Sequence, residues 1–232
     1  AAWERVVVVV SAMAGVTDAL VRGARTAAAG DKQAYSAIVA DLRGRHQEAV
    51  GGLFSTNGDG PALLANVDQV LDEFARYCRS VYVLREVTPR TMDAISSLGE
   101  RLSAAVLAKL LSGLGRHSQA VDARELIVTD DTFGDAVPLP DETRSATRRR
   151  LLPLLEEGIV PVVTGFVGAN RERVTTTLGR GGSDFSASIL GIALDADEVW
   201  IWTDVDGVMS ADPRLVASAR AIPSLSYAEV GE

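Results

Sequence analysis

Apolar residues change their spacing several times along the chain, and each change predicts an element. Val6–Val10 is an unbroken β-branched run, the pattern of a parallel strand buried on both faces. Ser11–Thr17 follows as a loop of small residues, with Thr17 or Asp18 placed to cap a helix that runs to about Ala29 and stops at Gly30. Ala34–Val50 reads as a second helix and Gly51–Pro61 as a glycine-rich loop. Ala65–Leu84 is amphipathic, with Val67, Val70, Leu71, Phe74, Cys78 and Val81 on one stripe. Leu98, Leu102, Val106, Leu110 and Leu114 recur every four residues and define a helix opened by Ser97-Leu98-Gly99-Glu100. Gln119–Asp122 suggests a short strand, and a polar loop carrying Asp130, Asp131, Phe133 and Gly134 follows. Beyond it the pattern predicts a helix over Asp141–Glu157, a buried strand over Ile159–Gly165 and a short strand over Val174–Thr177. A helix over Ser183–Leu194 comes next, then a further strand over Glu198–Thr203 that turns at Asp204–Gly207.

Strands alternating with helices favour an α/β sandwich around a parallel sheet. Ligands in such sheets bind beyond the carboxyl ends of the strands. That rule gathers Ser11–Thr17, Gly165–Gly168 and Asp204–Gly207 on one rim. At 232 residues the chain makes one sizeable domain, or one domain with a small lobe, and 47% hydrophobic content is ample for its core. A net charge of −8 argues against a nucleic-acid partner. The one cysteine, Cys78, sits on the apolar stripe as a structural thiol and suits a reducing compartment such as the cytoplasm. His46 and His117 lie in polar surroundings. Arg148, Arg149 and Arg150 read as the wet side of their helix. The longest apolar run, Val6–Val16, is too short to span a bilayer and lacks the flanks of a signal peptide. Beginning at Ala1 and ending at Glu232, the chain reads as cut at both ends from something longer.

Thr175-Thr176-Thr177-Leu178-Gly179-Arg180-Gly181-Gly182-Ser183-Asp184 carries the clearest chemistry. Its glycines allow a tight turn and a close ligand approach. The helix that follows starts with unpaired N–H groups and a positive dipole end, and Arg180 adds a planar fork for a carboxylate or phosphate. Walker, dinucleotide-binding and protein-kinase spacings are absent. No Ser-His-Asp elbow, zinc set or complete calcium loop can be assembled. Local readings remain open at several positions. Glu100 completes a capping box with Ser97, Thr17 is an N-cap candidate, and Asp204 and Asp206 suit a turn before Gly207.

Four segments in order resemble the aspartokinases: Val6–Thr17, Ser97-Leu98-Gly99-Glu100-Arg101-Leu102-Ser103, Thr177–Asp184, and Trp202–Gly207 with Asp212-Pro213-Arg214. The resemblance covers about Val6 to Tyr227. It implies the amino-acid-kinase fold, a three-layer αβα sandwich with a mainly parallel central sheet. It also implies transfer of the γ-phosphoryl of MgATP to the β-carboxylate of L-aspartate, the step that opens lysine, threonine and methionine biosynthesis. By the same resemblance Thr17 and Glu100 contact aspartate, Glu100 through the ammonium group, and Arg180 with Ser183 holds the α-carboxylate. Ser11 lies near the transferred group and Asp184 orients catalytic lysines. Thr203, Asp204, Met209 and Arg214, with Gly181 and Gly182, serve the nucleotide. The partition implied is a substrate-side part over about residues 1–158 and a nucleotide-side part over about 159–232. A cytoplasmic homodimer without resident metal is the expected setting.

Two lysine segments usual in that family, of the types K-F-G-G-T-S and G-A-K-V-L-H-P, have no counterpart here, nor do the C-terminal ACT domains. Lys32 and Lys109 do not obviously replace the missing charges, so this 232-residue chain is expected to be nearly inactive by itself. The competing readings are a relative acting on glutamate, acetylglutamate, carbamate or UMP, and a non-catalytic piece that assembles with a partner chain.

Overall fold

The computed structural model describes residues 4–54, 60–202, 207–212 and 215–226. They fall into two compact units, Ala1–Val199 and Trp200–Glu232. The first opens with β1 (Val8–Val10) and five helices: α1 (Val16–Ala28), α2 (Lys32–Leu53), α3 (Gly60–Leu84), α4 (Pro89–Ser96) and α5 (Leu98–Gly113). Next come β2 (Ser118–Val121), a 3-10 turn at Ala123–Glu125, β3 (Val128–Thr129) and α6 (Pro140–Glu156). β4 (Val160–Thr164), β5 (Val167–Asn170), β6 (Thr175–Thr177) and α7 (Gly182–Leu194) complete it.

The strands form two three-stranded sheets, ordered β1-β4-β2 and β3-β5-β6. The first is wholly parallel, as the β-branched runs predict, with Val8 opposite Val162 and Val10 opposite Thr164. Gly165 N–H donates to Val10 O at 2.8 Å, so both strands release their chains at one level. In the second sheet β3 pairs parallel with β5, and β5 folds back antiparallel onto β6.

Helices α1 to α5 share one apolar core containing Leu20, Leu42, Leu71, Phe74, Leu98 and Leu102. Each side chain of this size contributes about 1.5–3 kcal/mol on full burial. The α3 stripe is buried residue for residue as its spacing predicts. Cys78 lies within it, and burial pushes its thiol up to about 12, which suits a structural role. A second core joins Leu126, Ile127, Leu151, Val163 and Leu190.

The structure departs from the pattern in several places. His46 is buried, not in polar surroundings, because it falls in line with Tyr35, Leu42 and Val50 on the inner face of α2. Its Nδ1 lies 2.7 Å from Leu42 O, and burial lowers its pKa. α4 is an additional helix, opened by Thr88, which caps the Thr91 amide at 3.2 Å, and by Pro89 in the first turn. β5 is an additional strand that the apolar pattern does not predict. Glu198–Trp202 is not a strand: those residues carry no regular structure and are exposed. Trp200 and Trp202 stack on each other at 6.4 Å. The basic run of α6 is on the wet side as expected, but partly paired: Arg148 meets Asp195 at 2.8 Å and Arg150 meets Glu125 at 2.9 Å.

In the second unit Met209 bridges Ala221 in antiparallel fashion, supported by Ser210 N–H to Arg220 O at 2.9 Å. Thr203, Asp204 and Arg214 lie outside the described residues.

Candidate active site

The carboxyl ends of β1 and β4 open into a cavity of about 310 Å³ lined by Ser11, Thr17, Glu100, Phe166, Gly179, Gly181, Gly182, Ser183 and Asp184. Seven expected site residues, drawn from three separated segments, therefore meet in one place. Arg180 belongs to the same elbow, but its side chain is exposed and does not line the wall.

Three helices start at this cavity, and none is capped by its own side chain. Gly15 caps α1 in the left-handed region at φ 73° and Gly181 caps α7 at φ 69°. Ser97 caps α5 without a side-chain bond. Thr17 is thus the second residue of α1 rather than its cap, and Ser183 and Asp184 stand in the first turn of α7. Uncapped first-turn N–H groups and the positive dipole ends behind them suit anions. Asp184 in that first turn is itself stabilised by the same field.

The capping box read at Ser97 and Glu100 does not form. Ser97 Oγ donates to Ala94 O at 2.9 Å, which leaves Glu100 for another use. Glu100 is 3% exposed, and its Oε1 accepts the Ala12 N–H at 3.2 Å across 88 residues of sequence. Its Oε2 finds no partner among the described residues. Burial pushes its pKa up to about 7. A buried carboxylate with half its acceptor capacity unmet, on the wall of an open cavity, is a receptor for a cation such as an ammonium group.

Close approach matters at two glycines. A Cβ on Gly99 would lie 2.7 Å from Ala12 Cβ, so only glycine lets the first loop settle against α5 beside Glu100. A Cβ on Gly165 would lie 2.7 Å from Ser183 Oγ and 2.9 Å from its Cα. Gly165→Ala must therefore displace the start of α7. It is expected to weaken ligand binding at this cavity at least tenfold while lowering Tm by only a few degrees, measured by calorimetry and by thermal melting.

The pattern of the chain left Phe166 unassigned. It sits in the left-handed region at φ 66° and is held there by its N–H to Ser186 Oγ and by its carbonyl from Leu178 N–H, both 2.9 Å. A bulky residue in that region stores about 1–3 kcal/mol, the kind of strain that concentrates at binding sites. Nothing in its local sequence marks it, because the strain arises only once β4 meets α7. A second cavity, about 480 Å³, lies between α6 and the β5–β6 turn and includes no expected site residue. Among the described residues no group of three or more His, Cys, Asp or Glu is placed to hold a metal, and no helix is long and apolar enough to cross a membrane.

Comparison with known proteins gives the family. The family model described as the amino acid kinase family matches residues 1–232. The chain belongs to the amino acid kinase family. Among curated relatives, bifunctional aspartokinase/homoserine dehydrogenase 2 of Arabidopsis thaliana is 34% identical over 229 residues, covering 99% of this chain and 25% of the relative. Lysine-sensitive aspartokinase 3 of Escherichia coli is 37% identical over 168 residues, covering 70% of this chain and 37% of the relative. The solved structure of E. coli aspartokinase III in complex with aspartate and ADP superimposes with a TM-score of 0.84 at 32% identity, over 94% of this chain and 46% of that one. This chain of the amino acid kinase family thus spans a quarter to a half of the lengths of these relatives.

Proposed function

We propose that the cavity binds L-aspartate and that the protein of which this chain forms the kinase part transfers the γ-phosphoryl group of MgATP to its β-carboxylate, giving 4-phospho-L-aspartate. One observation carries the reading. A buried carboxylate with an unmet oxygen faces the same cavity as three uncapped helix starts. That combination matches an amino acid with one cation and two anions, next to a phosphoryl donor.

In this reading Glu100 holds the ammonium group and Thr17 and Ser183 bind the carboxylates. Arg180 swings from the elbow to form a paired contact with the α-carboxylate. Ser11, at the end of β1, stands beside the transferred group, and Asp184 orients cationic groups brought to it. The acceptor is already ionised at neutral pH, so no general base is required, and catalysis rests on positioning and charge neutralisation. Mg²⁺ enters with the nucleotide phosphates. Gly181 and Gly182, with Thr203, Asp204, Met209 and Arg214, are the proposed nucleotide side, and residues 1–158 are chiefly the amino-acid side. A reducing compartment such as the cytoplasm and a homodimeric assembly complete the proposal.

The test is calorimetry of the 232-residue chain with L-aspartate, paired with an assay for ATP- and aspartate-dependent ADP release and trapping of the acyl phosphate by hydroxylamine. Saturable binding of L-aspartate is the expected result. Preference for glutamate, acetylglutamate, carbamate or UMP would replace the acceptor. Absence of any aspartate binding would overturn the reading.

A further inference from the structure

Asp93, on α4, lies outside the cavity and is 2% exposed. Its carboxylate accepts three hydrogen bonds: from Gly134 N–H at 2.9 Å, from Thr177 N–H at 3.1 Å and from Thr177 O–H at 2.8 Å. No lysine, arginine or histidine pairs with it among the described residues. Burial raises its pKa while the three donors pull the other way. An acid held in the interior without a counter-charge is costly, and an apolar side chain of similar size would serve packing better. What the three donors share is their location.

Thr177 ends β6 two residues before Gly179 and three before Arg180. Gly134 opens the short segment that lies along the same stretch: Ala136 N–H donates to Thr177 O at 2.8 Å. The Asp135 carboxylate packs directly on Gly179, where an added Cβ would come 2.3 Å from its Oδ1. Downstream, Leu178 N–H donates to Phe166 O at 2.9 Å. One carboxylate therefore fastens both the strand that launches the elbow and the segment that supports it from beneath. The neighbouring threonines of β6 are held in their own ways, Thr175 by Arg124 at 3.3 Å and Thr176 by Thr129 at 2.8 Å.

We infer that Asp93 is a positioning residue for the amino-acid acceptor: through Thr177 and Gly134 it sets where the Leu178–Gly182 elbow and Arg180 lie, and so governs acceptor affinity without touching the acceptor. The acceptor half of this statement rests on the function proposed above. The positioning half does not.

The experiment compares Asp93→Asn, Thr177→Val and Thr177→Ser with wild type. Thr143→Val serves as a control, removing an equally buried hydroxyl that bonds Val128 N–H and O at 3.0 Å, away from the elbow. Hydrogen exchange is followed at the Leu178 and Ala136 amides, whose own acceptors are Phe166 and Thr177. Titrations with L-aspartate and with ADP follow affinity. Asp93→Asn and Thr177→Val are expected to speed exchange at both amides about tenfold and to weaken L-aspartate about tenfold, with ADP changed less than twofold. Thr177→Ser restores both, and Thr143→Val lowers Tm without moving either. Should Asp93→Asn fail to fold, the Thr177 pair decides. Unchanged exchange at both amides, or equal losses for aspartate and ADP, would overturn the inference. A wild-type chain that binds no L-aspartate would remove the kinase reading, and the exchange comparison then decides the positioning role by itself.

Discussion

Glu100→Gln is expected to make the protein more stable at pH 8 and to remove its affinity for L-aspartate. Glu100 ionises near 4.5 in an unfolded chain and at about 7 in the fold, because burial disfavours the charged form. The folded state therefore holds more protons between these values, and the contribution of Glu100 to stability falls as pH rises from about 4.5 to about 7. Above that window the ionised side chain costs about 3 kcal/mol. Glutamine does not titrate. Its amide oxygen can still accept the Ala12 N–H, while its NH₂ group replaces the oxygen that lacks a partner. Melting curves should accordingly show the variant gaining on wild type from about pH 5 to about pH 7 and holding its advantage beyond. The same NH₂ group opposes an ammonium, so L-aspartate should bind at least about 100-fold more weakly. In the wild type, affinity should fall about tenfold per pH unit below about 7, as the carboxylate takes up its proton. A stability difference independent of pH would mean that Glu100 ionises in the fold at its unfolded value and is not shifted by burial.

Arg180→Ala should leave stability within about 0.5 kcal/mol, since the residue is exposed. Its effect belongs to the ligand. Losing a paired guanidinium–carboxylate contact commonly costs about 2–5 kcal/mol, which corresponds to a rise of about 30- to 5,000-fold in the KM for aspartate. The KM for ATP should move less than about threefold. Asp204→Ala is the reciprocal variant, expected to raise the KM for ATP and spare aspartate. Steady-state kinetics would read both, and an Arg180 variant impaired only toward ATP would reassign that side chain.

How far the chain announces this arrangement depends on the range over which each feature is determined. Val6–Val10, the α3 stripe and the repeat in α5 were legible because strand and helix periodicity are local properties. The cavity was largely legible too, since Ser11, Thr17, Glu100 and Gly181–Asp184 stand at strand ends and helix starts, where parallel topology sends them to one rim. The fate of Glu100 was not. Whether a glutamate caps its own helix or reaches Ala12 depends on a loop that arrives from far along the chain. Glu198–Trp202 has strand composition, but pairing is a tertiary property that composition does not report, and these residues carry no regular structure. His46 reads as polar until its spacing from Tyr35 and Leu42 is set against the packing of α2. Asp93 is one acidic residue among many, and only the tertiary fold brings Gly134 and Thr177 to it.

The shared level at which β1 and β4 end constrains how such a chain can change in length. Removing one residue from either strand would turn its remaining side chains to the opposite face and part Ser11 from Gly165 by one rise of about 3.3 Å. Insertions and deletions in homologous chains should therefore be rare within these two strands and more common at the α5–β2 connection, residues 114–117, which is exposed and does not line the cavity.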